Sequence, residues 1–124
     1  MAHFAEINEH NEVIRVVVVS NSKITNYTEP ITPEQSKEID ILGKLGGDWV
    51  QTSYNRNFRG NFAGKGFAYI PEHDIFMPQK PFESWTLNPT AAKWEAPKPY
   101  PADGKDYYWD EQQEKWVEFE TSES

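Results

Sequence analysis

The sequence predicts a mainly β fold: antiparallel sheet and hairpins, one short α-helix at about 33–45, and aromatic-rich hairpin units in the C-terminal half. Three observations predict it. Nine prolines and seven glycines in 124 residues punctuate the chain too often for a helical bundle. The run Val16-Val17-Val18-Val19 is β-branched and stiff at χ1, which suits a strand and penalises a helix. The C-terminal half repeats a large apolar residue, a turn-like middle and an aromatic seven positions later, the pattern of a strand–turn–strand unit.

The N-terminal segment reads as a hairpin, with Phe4 and Ile7 before the polar turn Asn8-Glu9-His10-Asn11 and Val13 to Val19 returning. The unbroken apolar run of the returning strand predicts cover on both of its faces. Residues 23–31 form a connection. In the helix that follows, Thr32 caps, Pro33 takes the first helical position and Gln35 completes a capping box. Ile39, Leu42 and Leu45 share its apolar face, and Gly46-Gly47 ends it. From Gln51 to Phe67 neither helical nor strand periodicity persists, which predicts a long structured loop of the kind that holds a partner or serves a function.

The repeat then begins. Its three copies start at Tyr69, Leu87 and Trp109 and close at Phe76, Trp94 and Trp116. Proline inside the first two copies excludes a regular helix there. In YWDEQQEKW, Trp109 and Trp116 are therefore expected to face each other across a hairpin. The expected organisation is one domain over residues 1–124. It has an N-terminal hairpin and helix (1–50), a loop (51–67), aromatic hairpin units (68–119) and an acidic tail (120–124).

Composition narrows the function. The chain has no cysteine, so disulfide frameworks and thiolate metal sites are out. No apolar run approaches the ~20 residues that span a bilayer, and the opening MAHFAEINEHNE lacks the regions of a signal peptide. A formal charge of −8 disfavours nucleic acid and anionic membrane as partners. Gly60 to Gly66 departs from the phosphate-loop pattern in spacing and in lacking Ser or Thr after the lysine. His3, His10 and His73 show no ligand spacing, and no carboxylate pair or nucleophile arrangement stands out. The expectation is a non-enzyme with no cofactor and no metal.

Two sets of residues remain as candidates. The first is the loop set Tyr54, Arg56, Phe58, Arg59 and Phe62, in a stretch with three cations and no acid, which is expected to dock on a partner chain. The second is Trp85, Trp94, Trp109 and Trp116, with Tyr100, Tyr107 and Tyr108. Their flat rings offer stacking platforms for sugar, and equally the makings of a core in a half with few aliphatics.

The segments GGDWVQTSYNRNFRGNFAGKGFAY, KPFESWTLN, WEAPKPYPADGK and YYWDEQQEKWVE closely resemble a group of small proteins of tailed bacteriophages, especially those of marine cyanobacteria and related bacteria. The opening AHFAEI and VIRVVVVSN is similar to that group's first hairpin, while Thr32 to Leu45 fits least well. The resemblance implies a virion component or assembly accessory, such as a capsid decoration, neck, tail or fibre protein. Its implied partners are other virion proteins, with a homo-oligomer among the options, and its implied location is the particle, assembled in the host cytoplasm. A glycan-binding host-attachment module and a fibre-assembly chaperone are the alternatives.

Overall fold

The computed structural model describes residues 1–119; the acidic tail expected at 120–124 lies outside them. The protein is mainly β, its named strands all pairing antiparallel. It packs as two compact units. Unit 1 holds Met1–Gln79 and Pro89–Ala92, and unit 2 holds Lys80–Asn88 and the described residues from Lys93 onward.

Unit 1 is built on a three-stranded sheet of β1 (Ala2–Ile7), β2 (Val13–Val19) and β3 (Asp48–Thr52), in the order β2-β1-β3. The β1–β2 turn forms because the Asn8 Oδ1 accepts the backbone N–H of both His10 and Glu12 at 2.9 Å. Asn11 then takes the left-handed conformation, φ 62°, which asparagine tolerates better than most residues. On one face of the sheet, Ala2, Phe4, Val19 and Trp49 pack with Ile31, Ile39 and Leu42. On the other, Ala5, Val13 and Val50 pack with Ala63 and Phe76.

The strand buried on both faces is not the valine run. β1 occupies the centre, and β2 is an edge whose Ile14 and Val18 are 41% and 53% exposed. A bulge contributes: Glu6 opposes Arg15 while Ile7 opposes Val13, so Ile14 has no cross-strand partner. Hydrophobic content alone does not fix a strand's place in a sheet; here the more apolar strand has the less covered position.

The expected single helix is two. α1 (Pro33–Ser36) starts as the sequence predicts, with Thr32 Oγ1 accepting from Gln35 N at 3.1 Å and Gln35 Oε1 accepting from Thr32 N at 3.2 Å. It stops after one turn. Ser36 donates its hydroxyl to the Thr32 carbonyl, and the N–H groups of Glu38 and Ile39 reach back only three residues, which tightens the turn and ends it. Ile39 then extends (φ −72°, ψ 122°), its side chain goes into the core, and α2 (Asp40–Leu45) begins without a side-chain cap. The new phase keeps Ile39 and Leu42 buried but leaves Ile41 and Leu45 exposed, so the expected shared face loses Leu45. Gly46, at φ 75°, closes α2, and its carbonyl accepts from Trp49 Nε1 at 2.8 Å.

Three two-stranded hairpins follow: β4 (Ala68–Ile70) with β5 (Ile75–Met77), β6 (Thr86–Asn88) with β7 (Lys93–Glu95), and β8 (Tyr107–Asp110) with β9 (Lys115–Glu118). They share one register. Tyr69 opposes Phe76, Leu87 opposes Trp94, and Trp109 opposes Trp116. In each, the last residue of the turn is left-handed: Asp74 at φ 54°, Ala92 at 53° and Glu114 at 50°. The repeat seen in the sequence is thus a repeat of backbone geometry. The first hairpin belongs to unit 1 and the third to unit 2. The second has its strands in unit 2 and its turn, Pro89–Ala92, in unit 1.

Candidate functional site

Two surfaces hold the candidate residues, one in each unit. In unit 1, β3 runs on through Thr52, so the irregular segment is 53–67 rather than 51–67. It is fixed from within. Arg59, 8% exposed and left-handed at φ 56°, donates Nε to Asp74 Oδ1 at 2.8 Å. Its Nη1 donates to the carbonyls of Ile31 at 3.1 Å and Gln51 at 3.2 Å. One guanidinium therefore ties the loop to the connection before α1, to β3 and to the first hairpin turn. Planar geometry with several donors suits this, and a lysine would not reproduce it. Asp74 also accepts from the Tyr69 hydroxyl, and burial followed by that carboxylate pushes the phenol up to about 12.

Further along, Ala63 N donates to Thr52 Oγ1 at 2.9 Å. Asn61 Nδ2 donates to the carbonyls of Phe76 at 3.0 Å and Ala92 at 3.1 Å. At Gly60 a side chain has no room, since a Cβ there would lie 3.1 Å from that of Ala92 and 3.2 Å from that of Ile75. The loop is ordered by its own unit.

Of the five residues expected to dock a partner, Arg59 thus faces inward and Phe58 is half-buried beside it, with the Arg59 Cζ 6.0 Å from the Phe58 ring centre. Tyr54 and Phe62 come together, ring centres 5.2 Å apart and edge to face, and Tyr54 is 67% exposed. Arg56 is exposed and donates to Asn61 Oδ1 at 3.2 Å. Sequence reasoning missed His3. Its ring stacks on Tyr54 at 5.8 Å and meets the edge of Phe62 at 5.2 Å, completing a three-ring cluster. The available signal was β1 itself, where alternation sends His3 to the opposite face from Phe4.

In unit 2 the expected cross-strand pair is present: the Trp109 and Trp116 rings sit 5.2 Å apart at 72°. Trp85 meets both, at 6.1 and 6.0 Å, and Tyr100 closes on Trp116 at 4.9 Å. These edge-to-face contacts make an aromatic core where aliphatics are few. Trp109 is buried, and its Nε1 donates to Glu111 Oε1 at 2.8 Å. Glu111 also accepts from Ser84 N at 3.0 Å and Ser84 Oγ at 2.7 Å, so Ser84 first and Trp109 second hold its carboxyl below the usual range.

Above this core lies an open groove of about 570 Å³, lined by Trp85, Trp94, Tyr100 and Trp116 with the segment from Glu95 to Pro99. Three of the four candidate stacking tryptophans thus share one concavity, and the fourth, Trp109, packs against two of them, Trp85 and Trp116. The polar groups missed from sequence are Glu95 and Lys98, carried on the EAPKP segment after β7. Its second half is held by Trp116 Nε1, which donates to the Lys98 carbonyl at 2.9 Å. At the other side of the third hairpin, Tyr107 donates its hydroxyl to Asp103 Oδ2 at 2.6 Å. That bond pushes the phenol up to about 12 and holds the Asp103 carboxyl down.

Among the described residues no group of three or more His, Asp and Glu is placed to hold a metal ion, and no helix is long and apolar enough to cross a membrane. Compared with known proteins, the chain matches no family model, no curated protein and no solved structure.

Proposed function

We propose that this chain is a non-enzymatic structural protein of a tailed-bacteriophage particle, a capsid decoration, neck or tail and fibre accessory, that acts by docking on other virion proteins. The observation that carries the reading is the His3–Tyr54–Phe62 cluster. Tyr54 is exposed, its half-buried partners are Phe62 on the same loop and His3 on β1, and Arg59 already ties the loop in place, so docking costs little ordering entropy. Aromatic anchors with a nearby arginine are the residue types that dominate interfaces, and Arg56 is an exposed arginine of this loop. The resemblance of residues 46–118 to small phage proteins supplies the particle as the setting.

The test is incorporation. Tyr54→Ala/Phe62→Ala and Arg56→Glu variants are compared with wild type for melting temperature and for abundance in purified particles by mass spectrometry. Normal melting with lost incorporation supports the reading. Absence of the wild-type chain from particles, or full incorporation of every variant, sinks it.

The groove in unit 2 favours a second reading, a glycan-binding module for host attachment. Its aromatic walls with a few polar groups fit a neutral sugar ring, and Glu95 and Lys98 leave it without a dominant charge. A glycan array with wild type and Trp94→Ala decides: binding by wild type that the variant loses, at unchanged melting, establishes it.

A further inference from the structure

We infer that β2 is a self-pairing edge: two copies of this chain join antiparallel along their β2 strands and extend the sheet of unit 1 to β3-β1-β2-β2-β1-β3.

The two edges of the three-stranded sheet are treated differently. The β3 edge is in use at the Gln51 carbonyl, which accepts from Arg59, and the Thr52 side chain next to it holds the loop by accepting from the Ala63 amide. The outer edge of β2 is occupied at Val13 alone, whose N–H donates to the Phe67 carbonyl at 2.8 Å and whose carbonyl accepts from Gly66 N at 2.9 Å. From 14 to 19 the strand's backbone bonds run to β1, and among the described residues nothing pairs its other side. Every second residue there presents an N–H and a C=O outward, which is a template for another strand.

The devices that ordinarily protect an edge are confined to its first two residues, the bulge at Ile14 and Arg15, whose guanidinium lies 5.3 Å from the Trp49 ring centre. From Val16 to Val19 there is no proline and no charge. Val18 shows half its surface to solvent beside its cross-strand partner His3.

The occupant follows from charge. A protein carrying −8 repels its own copies over most of its surface. Val16 to Val19 is uncharged, and the one charge before it, Arg15, is matched within the chain by Glu6 at 2.6 Å. Two identical molecules thus meet along β2 without opposing charges, and an antiparallel strand pair satisfies the two-fold symmetry that a closed homodimer requires. This inference does not rest on the virion reading and stands or falls separately.

Sedimentation equilibrium of the full-length chain tests it, with Val18→Lys and Val18→Thr beside wild type. Wild type is expected to dimerise, Val18→Thr to follow it, and Val18→Lys to weaken association by about tenfold or more, because two lysines come close across the symmetry axis. The chain has no cysteine, so single Val16→Cys, Val17→Cys and Val18→Cys variants form a clean second arm. At least one should oxidise to a disulfide-linked dimer, since opposed strand residues place their Cβ atoms within about 4.5–5.5 Å. This arm decides the matter if Val18→Lys fails to fold. A wild type that stays monomeric, a dimer unaffected by Val18→Lys, or no cross-link at any of the three positions overturns the inference. A chain that is monomeric alone, with β2 amides protected from exchange only inside a particle, assigns the edge to a different protein's strand and overturns it as well.

Discussion

Arg59 shows at the scale of one residue how far a side chain's role depends on partners distant in sequence. An arginine in an acid-free, glycine-rich stretch reads as a docking cation. In the fold its partners are a carboxylate 15 residues on and carbonyls 28 and 8 residues back, and none of these is marked in the local sequence. Replacing it with methionine keeps much of the stem but leaves two buried carbonyls without their charged donor. Such bonds contribute roughly 1.5–3 kcal/mol each, so Arg59→Met is expected to destabilise unit 1 by about 3 kcal/mol in urea unfolding, and Arg59→Lys by nearly as much. A second prediction concerns Tyr107. Its pKa is raised from 10.0 to about 12 chiefly by the bond to Asp103, so the neutral phenol is favoured in the folded chain. The stabilisation is complete below pH 10 and is lost as pH rises through 10 toward 12. The paired carboxylate works in the opposite direction. The Asp103 pKa is lowered first by Tyr107, so its contribution is present above the ordinary carboxylate range and lost as pH falls below it. In Asp103→Asn the Tyr107 phenol is expected to titrate closer to 10, read by tyrosinate absorbance. An unchanged titration would remove the hydrogen bond from the explanation.

At the scale of elements, the three hairpins were legible and the helix was legible only at its start. Hairpin register follows from what each strand must place across from what, and an aromatic seven positions after a large apolar residue states that directly. The capping box at Thr32 is equally local. The break after Ser36 is not, because α2 starts on Ile39, a residue with no capping side chain, drawn into a core that the local sequence does not describe. The order β2-β1-β3 was hidden for a related reason: a valine run fixes strand character but not whether a neighbour lies on one side or two. The turns carry their own prediction. Glu114 holds φ 50° although it is neither glycine nor asparagine, and left-handed backbone costs such residues about 1–2 kcal/mol. Glu114→Gly should therefore stabilise the third hairpin by up to about 1 kcal/mol, after the added flexibility of the unfolded glycine is subtracted. Ala92→Gly should not help, because Ala92 is buried and its Cβ lies against Gly60. Trp116→Ala removes a ring that touches Trp85, Tyr100 and Trp109 at once, and about 3–5 kcal/mol is expected to be lost from unit 2. A loss below 1 kcal/mol by chemical unfolding would mean that these rings are a surface platform and not a core.

For the whole molecule, charge and edge act against each other. Two chains of −8 repel, and β2 attracts them over a short uncharged strip. Added salt screens the first and leaves the second, with a Debye length of about 10 Å at 0.1 M. Self-association is therefore expected to strengthen between low and moderate ionic strength, measured by sedimentation across a salt series. Weakening with salt would assign the contact to ion pairs instead of the strand edge.

The Trp109–Trp116 pair has an optical consequence. Two indoles 5.2 Å apart and steeply inclined couple their electronic transitions, which splits the far-ultraviolet dichroism into a couplet of opposite signs. That couplet overlaps the backbone region, so a helix fraction read there would be distorted in a chain whose two helices have only four and six residues. Trp116→Phe should weaken the couplet while keeping an aromatic across from Trp109, and the Trp85–Trp109 pair at 6.1 Å remains. The difference spectrum then follows the packing of Trp116 against Trp109 and Trp85, in the native chain and without any attached dye.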